Sequence, residues 1–280
     1  MTYKTILVHL ADVERAPRLI EAAVAMADRM RAHLIGFAVT PPFVVVPAMD
    51  GTGVTVSVDQ HRDAYQADIA ALKSQFIKGT DGRTFTSEWR EADAGFATAV
   101  GTIIEQSRTA DIVIASQQDP AWRYSSMLEE PERIAIESGR PLLLIPNSGK
   151  VAVPPKNVTI AWNARREATR AVFDAMPLLK LAASVNVVWI NPEKEPEVAG
   201  DVPAAELCAM LARQGIKCIA SQASAIGADV GHEMLRQAQA FGSDLLVMGC
   251  YGHSRLREFV LGGASKHIMQ HAHLPVLLSH

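Results

Sequence analysis

The sequence predicts an α/β protein built from two doubly wound, parallel-sheet domains. Three observations support this fold class. Short β-rich runs alternate with amphipathic helical stretches along the chain, as in βα units. Runs such as LLVM at 245–248 are continuously apolar, which is typical of strands buried on both faces of a parallel sheet. The pattern of the first half returns in the second, so the architecture is expected twice.

The internal repeat divides the chain into two halves. KTILVHLADVERAPRLIEAAVAMA aligns with KNVTIAWNARREATRAVFDAMPLL, and each reads as a strand, a polar break and a helix. Each half closes with a proline-led apolar strand, at 140–147 and at 274–280. The intervening NSGKVAVPPK has the composition of a linker. We therefore predict domains at 1–149 and 150–280, packed as a pseudo-dimer because apolar edge strands need cover.

The second half illustrates the expected order of elements. Its strands are predicted near 157–162, 184–190, 216–221, 244–248 and 275–279, and its helices near 167–182, 203–214, 227–241 and 264–272. Doubly wound sheets bind ligands at the carboxyl ends of their strands. Asn163, Ile190 and Gly249 stand at or just after three such ends, so they are expected to face one crevice.

Bulk composition narrows the function classes. The chain has 280 residues and a formal net charge of -3, which gives no reason to expect nucleic acid as a partner. No apolar run approaches the roughly 20 residues of a membrane helix, and the N-terminus reads as a strand rather than a signal peptide. The three cysteines lack CxxC spacing, so neither a disulfide framework nor a zinc site is indicated. A cytoplasmic protein without membrane contact is expected.

A glycine-bounded loop stands between the strand ending at Gly249 and a predicted helix. Gly252, Gly262 and Gly263 belong to the same stretch. Glycine lets backbone amides approach a ligand closely. A helix that begins near Gly263 presents free N–H groups and a partial positive charge, which together form a phosphate site. The Ser265 hydroxyl is a further donor in the first turn.

The spacing Gly249-xx-Gly252, nine residues, Gly262 resembles the nucleotide loop of the universal stress protein family, G-2x-G-9x-G-(S/T). The half-length repeat, the element order and the closing LPVLLS strand are similar to the tandem two-domain form of that family. The resemblance implies a regulatory or stress-response protein that binds ATP or ADP and hydrolyses it slowly or not at all. It also implies an unidentified protein partner and a homodimer.

The resemblance implies two groups of ligand contacts and assigns no catalytic residue. The phosphates and ribose are expected at Gly249, Tyr251, Gly252, Gly262, Gly263, Ala264 and Ser265, and the ribose and adenine near Asn163 and Ile190. The chain departs from the family at two of these positions. Gly263 replaces the usual hydroxyl residue, and Asn163 replaces the aspartate that ends strand one. Asn163 has no charge for a divalent cation, so Mg²⁺ is expected to matter less and no metal ligand is assigned.

The first half departs much further from the motif. SQQDPAWRYSSMLEEPERI stands where the glycine loop would be, and it contains no glycine. Glu129, Glu130 and Glu132 fall where the phosphates would lie, and carboxylates repel phosphate. Ala11 stands at the position of Asn163, and Asp12 follows it. We expect domain one to have lost nucleotide binding, which leaves one nucleotide per chain.

Two other functions remain open at this point. The same crevice would serve a hydrolase or a nucleotide-dependent transferase, which needs a positioned base or metal ligand near the phosphates. The sequence offers His253 and Ser254 there, and His267 and His271 as a pair that could share a metal, although a solvated helix face is the commoner use of such a pair. A ligand-sensing pseudo-dimer that binds no nucleotide is the other alternative. The apolar segment at 41–60 either lines a pocket in domain one or faces a partner.

Overall fold

The structure is a computed structural model. It describes residues 2–42, 44–47, 54–57, 60–194, 197, 204–227, 229–250 and 263–280. Within these ranges, no helix combines the length and apolar character needed to cross a bilayer.

The first half alternates strands with helices and carries one inserted hairpin. Its strands are β1 (Thr5–His9), β2 (His33–Thr40), the hairpin β3 (Val44–Pro47) and β4 (Val54–Ser57), β5 (Ser87–Asp93), β6 (Ile112–Ser116) and β7 (Leu142–Ile145). Its helices are α1 (Ala16–Met30), α2 (Gln60–Thr80), α3 (Ala99–Ser107), α4 (Ser125–Leu128) and α5 (Pro131–Glu137). The hairpin falls in the apolar segment at 41–60. The side chains of this segment from residue 43 onward lie outside the described part, so its two expected roles, lining a pocket or facing a partner, stay predictions.

The second half follows the predicted order. Its strands are β8 (Asn157–Ala161), β9 (Ser184–Ile190), β10 (Cys218–Ala223), β11 (Leu245–Gly249) and β12 (Val276–Ser279). Its helices are α6 (Arg166–Asp174), α7 (Met176–Leu179), α8 (Ala205–Arg213), α9 (Val230–Ala240) and α10 (Gly263–His271), with a 3-10 turn at Pro192–Lys194. The single helix expected at 167–182 is wrong. It divides at Ala175, because Pro177 has no N–H to donate to the preceding turn, and a second helix begins at Met176.

The ten strands that the structure describes outside the hairpin form one sheet, in the order β10-β9-β8-β11-β12-β7-β6-β1-β2-β5. Each half therefore has the order 3-2-1-4-5 in its own numbering, with every pairing inside a half parallel. The predicted class of doubly wound parallel α/β sheets is confirmed. The same strand order occurs in both halves, and the domain bounds at 1–149 and 150–280 stay a prediction.

The two halves meet through their closing strands. β12 pairs antiparallel with β7, and Leu277 stands opposite Leu143 in the register. Both strands are fully buried, so each covers an apolar edge that the other half alone would expose. This pairing of β7 with β12 joins the two halves into the pseudo-dimer expected from the sequence. Because β7 and β12 run antiparallel, the strands of the two halves point in opposite directions. The carboxyl ends of the first-half strands therefore lie on the side of the sheet where the second-half strands begin.

Each half has a switch point in its strand order, between β1 and β6 and between β8 and β11. Chain connections diverge to the two faces of the sheet there, which leaves a crevice at the carboxyl ends. The side chains around the two crevices differ, as described below.

Candidate functional site

A cavity of about 370 Å³ opens at the switch point between β8 and β11. Six of the nine residues predicted to contact a ligand line it. They are Asn163, Ile190, Gly249, Gly263, Ala264 and Ser265. The other three, Tyr251, Gly252 and Gly262, lie outside the described residues, as do His253 and Ser254. The structure thus brings together every predicted ligand contact that it describes.

The strand ends set the length of the cavity. Ile190 ends β9, Asn163 follows β8 and Gly249 ends β11, and these are three neighbouring strands. Adjacent strands are about 4.8 Å apart, so the line from Ile190 to Gly249 spans roughly 10 Å, about the length of a nucleoside. Val230 and Met234 of α9 make the wall beside these ends apolar.

The N-terminus of helix α10 lines one end of the cavity. Gly263, Ala264 and Ser265 form its first turn, whose N–H groups have no partner within the helix. Ser265 is buried, with 6% of its surface exposed. A Cβ on Gly263 would lie 3.6 Å from Asp229 Oδ1, an ordinary contact. Packing in the described part therefore does not require a glycine at this position.

Gly249 has a packing reason for being glycine. A Cβ there would lie 2.4 Å from the Glu167 carbonyl carbon and 2.5 Å from the Ala168 nitrogen. The first turn of α6 therefore rests directly on the end of β11, where only a hydrogen fits. The sequence interpretation assigned this glycine to the approach of a ligand. The structure adds close helix–strand packing, as at the third glycine of dinucleotide-binding folds.

Two acidic residues in the cavity wall were missed by sequence reasoning. Glu167, in the first turn of α6, is 6% exposed, and none of the described residues forms a hydrogen bond with its Oε1. Asp229 precedes α9, and its Oδ2 lies 3.4 Å from Nδ1 of His267. Glu167 stands four residues after Asn163, so its place just past strand one was the available signal. The lining that the structure describes contains these two carboxylates and no lysine, arginine or histidine.

The histidines of α10 stand beside the cavity wall. The His267 and His271 rings stack with centroids 4.4 Å apart, and Nδ1 of His271 lies 2.9 Å from the His267 carbonyl oxygen. Burial lowers the pKa of His267, as do the nearby His271 and His232, while Asp229 raises it. Within the described ranges, no three His, Cys, Asp or Glu side chains are grouped to hold a metal ion.

The equivalent crevice of the first half is filled by Glu129. This carboxylate is 3% exposed and lies at the end of β6. Its Oε1 accepts a hydrogen bond from the Ser116 hydroxyl at 2.8 Å and pairs with Arg15 Nη2 at 2.7 Å. Its Oε2 accepts the backbone N–H of Asp119 at 2.9 Å. Glu129 therefore receives, from inside the chain, the contacts that a bound anion would receive.

Arg15 anchors this internal ion pair to several elements. It also pairs with Asp12 at 2.6 Å and donates to the Gln117 carbonyl oxygen at 3.2 Å and to Asn147 Oδ1 at 3.1 Å. The Gln117 side chain in turn donates to the carbonyl oxygen of Met269 at 2.9 Å. Met269 belongs to α10, so the Glu129 network of one half is hydrogen-bonded to the helix that lines the cavity of the other.

Comparison with known proteins agrees with this architecture. Residues 160–280 match the model of the universal stress protein family. Over 98% of this chain and 97% of the other, the fold is similar to a universal stress protein from Archaeoglobus fulgidus DSM 4304, at 12% identity and a TM-score of 0.67. A putative universal stress protein from Pseudomonas aeruginosa UCBPP-PA14 is 15% identical over 99% of this chain and 93% of its own, with a TM-score of 0.61.

A third solved structure with the same fold has a different description. The cytoplasmic domain of a prokaryotic cation chloride cotransporter is 11% identical over 98% of this chain and 94% of its own, with a TM-score of 0.53. The comparison with curated proteins returns no match. Strand order and crevice define a doubly wound α/β protein with a cavity at the switch point of its second half. Its second half, from residue 160 to residue 280, matches the model of the universal stress protein family.

Proposed function

We propose that the second half binds an adenine nucleotide, ATP or ADP, and that the chain acts as a regulatory nucleotide-binding protein. The main observation in support of this proposal is the cavity at the β8–β11 switch point, which the N-terminus of α10 lines at one end. Its three parts fit the three parts of a nucleotide. The apolar wall at Ile190 and Val230 suits the base, the ends of β8 and β11 suit the ribose, and the first turn of α10 suits phosphate.

The proposed occupancy is one nucleotide per chain. Glu129 fills the first-half crevice, and its carboxylate already uses the Arg15 guanidinium and the Asp119 amide. A phosphate would have to displace a buried, paired charge, which is costly because the guanidinium and the carboxylate would each lose a partner. This contrast supports loss of nucleotide binding in the first half.

The donor set fits a divalent cation poorly at strand one. Asn163 is uncharged, and its Oδ1 already accepts the Arg165 N–H at 3.1 Å. Mg²⁺ bound to a nucleotide usually takes one or two protein carboxylates together with phosphate oxygens. We therefore propose binding in which metal is not obligatory.

Slow or absent hydrolysis is part of the proposal. A fast phosphoryl-transfer enzyme positions a base and metal ligands around the transferred group. The described lining offers neither a histidine nor a lysine for this purpose. The function would then be exerted through an unidentified protein partner and through a homodimer. Steady-state phosphate release distinguishes this function from that of a hydrolase or transferase.

The test begins with whatever nucleotide remains bound after purification. Heat-released ligand is identified by mass, and the stripped protein is titrated with ATP by calorimetry. We expect one site per chain. Ser265→Ala should weaken binding about five- to tenfold by removing one hydrogen bond, whereas Ser126→Ala, at an exposed serine of the first half, should leave it unchanged. Absence of any nucleotide binding, or two equivalent sites, would refute the proposal.

A further inference from the structure

Glu167 is anomalous as a buried acid. It is 6% exposed, it lines the cavity, and its Oε1 has no hydrogen-bond partner among the residues that the structure describes. Leaving a buried carboxylate oxygen unpaired costs free energy, and for charged groups the cost exceeds the 1–3 kcal/mol typical of neutral groups. A partner supplied by a ligand would remove this cost.

The carboxylate belongs to the β11 end of the cavity. The Glu167 backbone contacts Gly249, because a Cβ added to Gly249 would lie 2.4 Å from the Glu167 carbonyl carbon. Its charge also reaches Cys250, the residue after β11. Burial raises the pKa of the Cys250 thiol to about 12, and the Glu167 carboxylate contributes to that rise. Glu167 therefore stands two strands away from Ile190, where the apolar wall receives the base.

A group that faces Glu167 has to donate a hydrogen bond. An ionised carboxylate is an acceptor only, so it repels phosphate oxygens and pairs with hydroxyl or amino groups. The base lies at the β9 end and the phosphates at the first turn of α10. The sugar is the part of a nucleotide that lies between them, and its hydroxyls are donors.

Resting on the proposed function, we propose that Glu167 accepts a hydrogen bond from a ribose hydroxyl and makes the cavity selective for ribonucleotides over deoxyribonucleotides. A site built to pair with a hydroxyl strongly rejects the analogue that lacks it, because its own polar group is then left unpaired. A charged acceptor makes this difference about ten- to a hundredfold in affinity.

A purely structural role makes a different prediction. A carboxylate in the first turn of a helix interacts favourably with the helix dipole, and this would hold with or without ligand. If that were the function of Glu167, its removal would lower the melting temperature of the ligand-free protein. If the residue is retained for the ligand, Glu167→Met should leave the melting temperature equal or higher, since it removes an unpaired buried charge.

The experiment titrates the full chain with ATP, 2′-deoxyATP and 3′-deoxyATP by calorimetry, in EDTA. The proteins are the wild type, Glu167→Met, the isosteric Glu167→Gln, and Asp229→Asn as a control in the same cavity. We expect the wild type to bind at least one deoxynucleotide about tenfold or more weakly than ATP. Glu167→Met should bind all three ligands alike, and Glu167→Gln should discriminate less than the wild type. Asp229→Asn should shift the three affinities by a common factor.

The outcomes separate the two proposals. If the wild type binds ATP but does not discriminate, or if both Glu167 variants discriminate as the wild type does, the role of Glu167 is refuted while nucleotide binding stands. If the wild type binds none of the three, both proposals fail. Should Glu167→Met not fold, the titration of Glu167→Gln decides alone.

Discussion

His9 is predicted to make the protein acid-sensitive. It ends β1, is 3% exposed, and its Nε2 has no hydrogen-bond partner in the described part of the chain. Its ring faces Phe37 of the neighbouring strand, with ring centroids 6.4 Å apart. Burial in this apolar setting lowers its pKa from 6.5 to about 4. His9 is therefore neutral in the folded protein at pH values where the unfolded chain is protonated.

The magnitude follows from this pKa difference. Between pH 6.5 and about 4 the unfolded state binds a proton that the folded state does not, so the free energy of unfolding falls as the pH falls. At about 1.4 kcal/mol per pH unit, His9 contributes a loss of about 3 kcal/mol across this window. Above pH 6.5 both states are neutral at this residue and its contribution is constant.

The perturbation is His9→Leu, which removes the titrating group and keeps a side chain of similar size. Urea unfolding followed by circular dichroism at pH 7.5, 6.5, 5.5 and 4.5 gives the free energy of unfolding of both proteins. We expect the variant to be as stable as the wild type or more stable at pH 7.5, and to gain relative stability steadily below pH 6.5. Other acidic groups affect both proteins equally and cancel in the difference. A difference that does not change with pH would refute the reasoning.

Two further predictions concern the cavity. Gly249→Ala should cost about 1–3 kcal/mol or more in urea unfolding, because its Cβ would fall 2.4 Å from the α6 backbone. Gly263→Ala, whose Cβ has room, is its control, and equal stability of the two variants would contradict the packing argument. Removing Mg²⁺ should change the ATP affinity of the wild type less than a hundredfold, and Asn163→Asp should increase that change, because only aspartate brings a charge for the cation. A calorimetric titration with and without EDTA measures both, and a larger wild-type effect would count against the assignment.

Local patterns were sufficient to predict most of the fold. Apolar runs located every strand of the second half, and β10 begins two residues later than expected, at Cys218 rather than at 216. The pairing of the two proline-led strands also followed from sequence, because both were apolar edges in need of a partner. The break at Pro177 was missed, since the apolar helical period continues across it.

The candidate site was predictable only where spacing carried the information. Glycine spacing led to Gly249 and Gly263, and strand ends led to Asn163 and Ile190. Burial of a single polar side chain has no such signature, so Glu167 was not recognised. In the first half, the sequence showed acidic residues that would repel phosphate. It did not show that Glu129 turns inward to Arg15, because that pairing depends on chain segments brought together only by the fold.

The hydrogen bond between Gln117 and Met269 attaches α10 to the first half as well as to its own half. Nine residues make a rod about 13.5 Å long. One end of the rod faces the open cavity. The other end lies near the carboxyl ends of the first-half strands. There Gln117, which belongs to the Arg15 network, donates a 2.9 Å hydrogen bond to the Met269 carbonyl oxygen. A ligand that draws α10 along its axis therefore has to stretch this bond or carry Gln117 with it. Through this hydrogen bond, a displacement of α10 at the cavity would be transmitted to the Arg15 network of the first half.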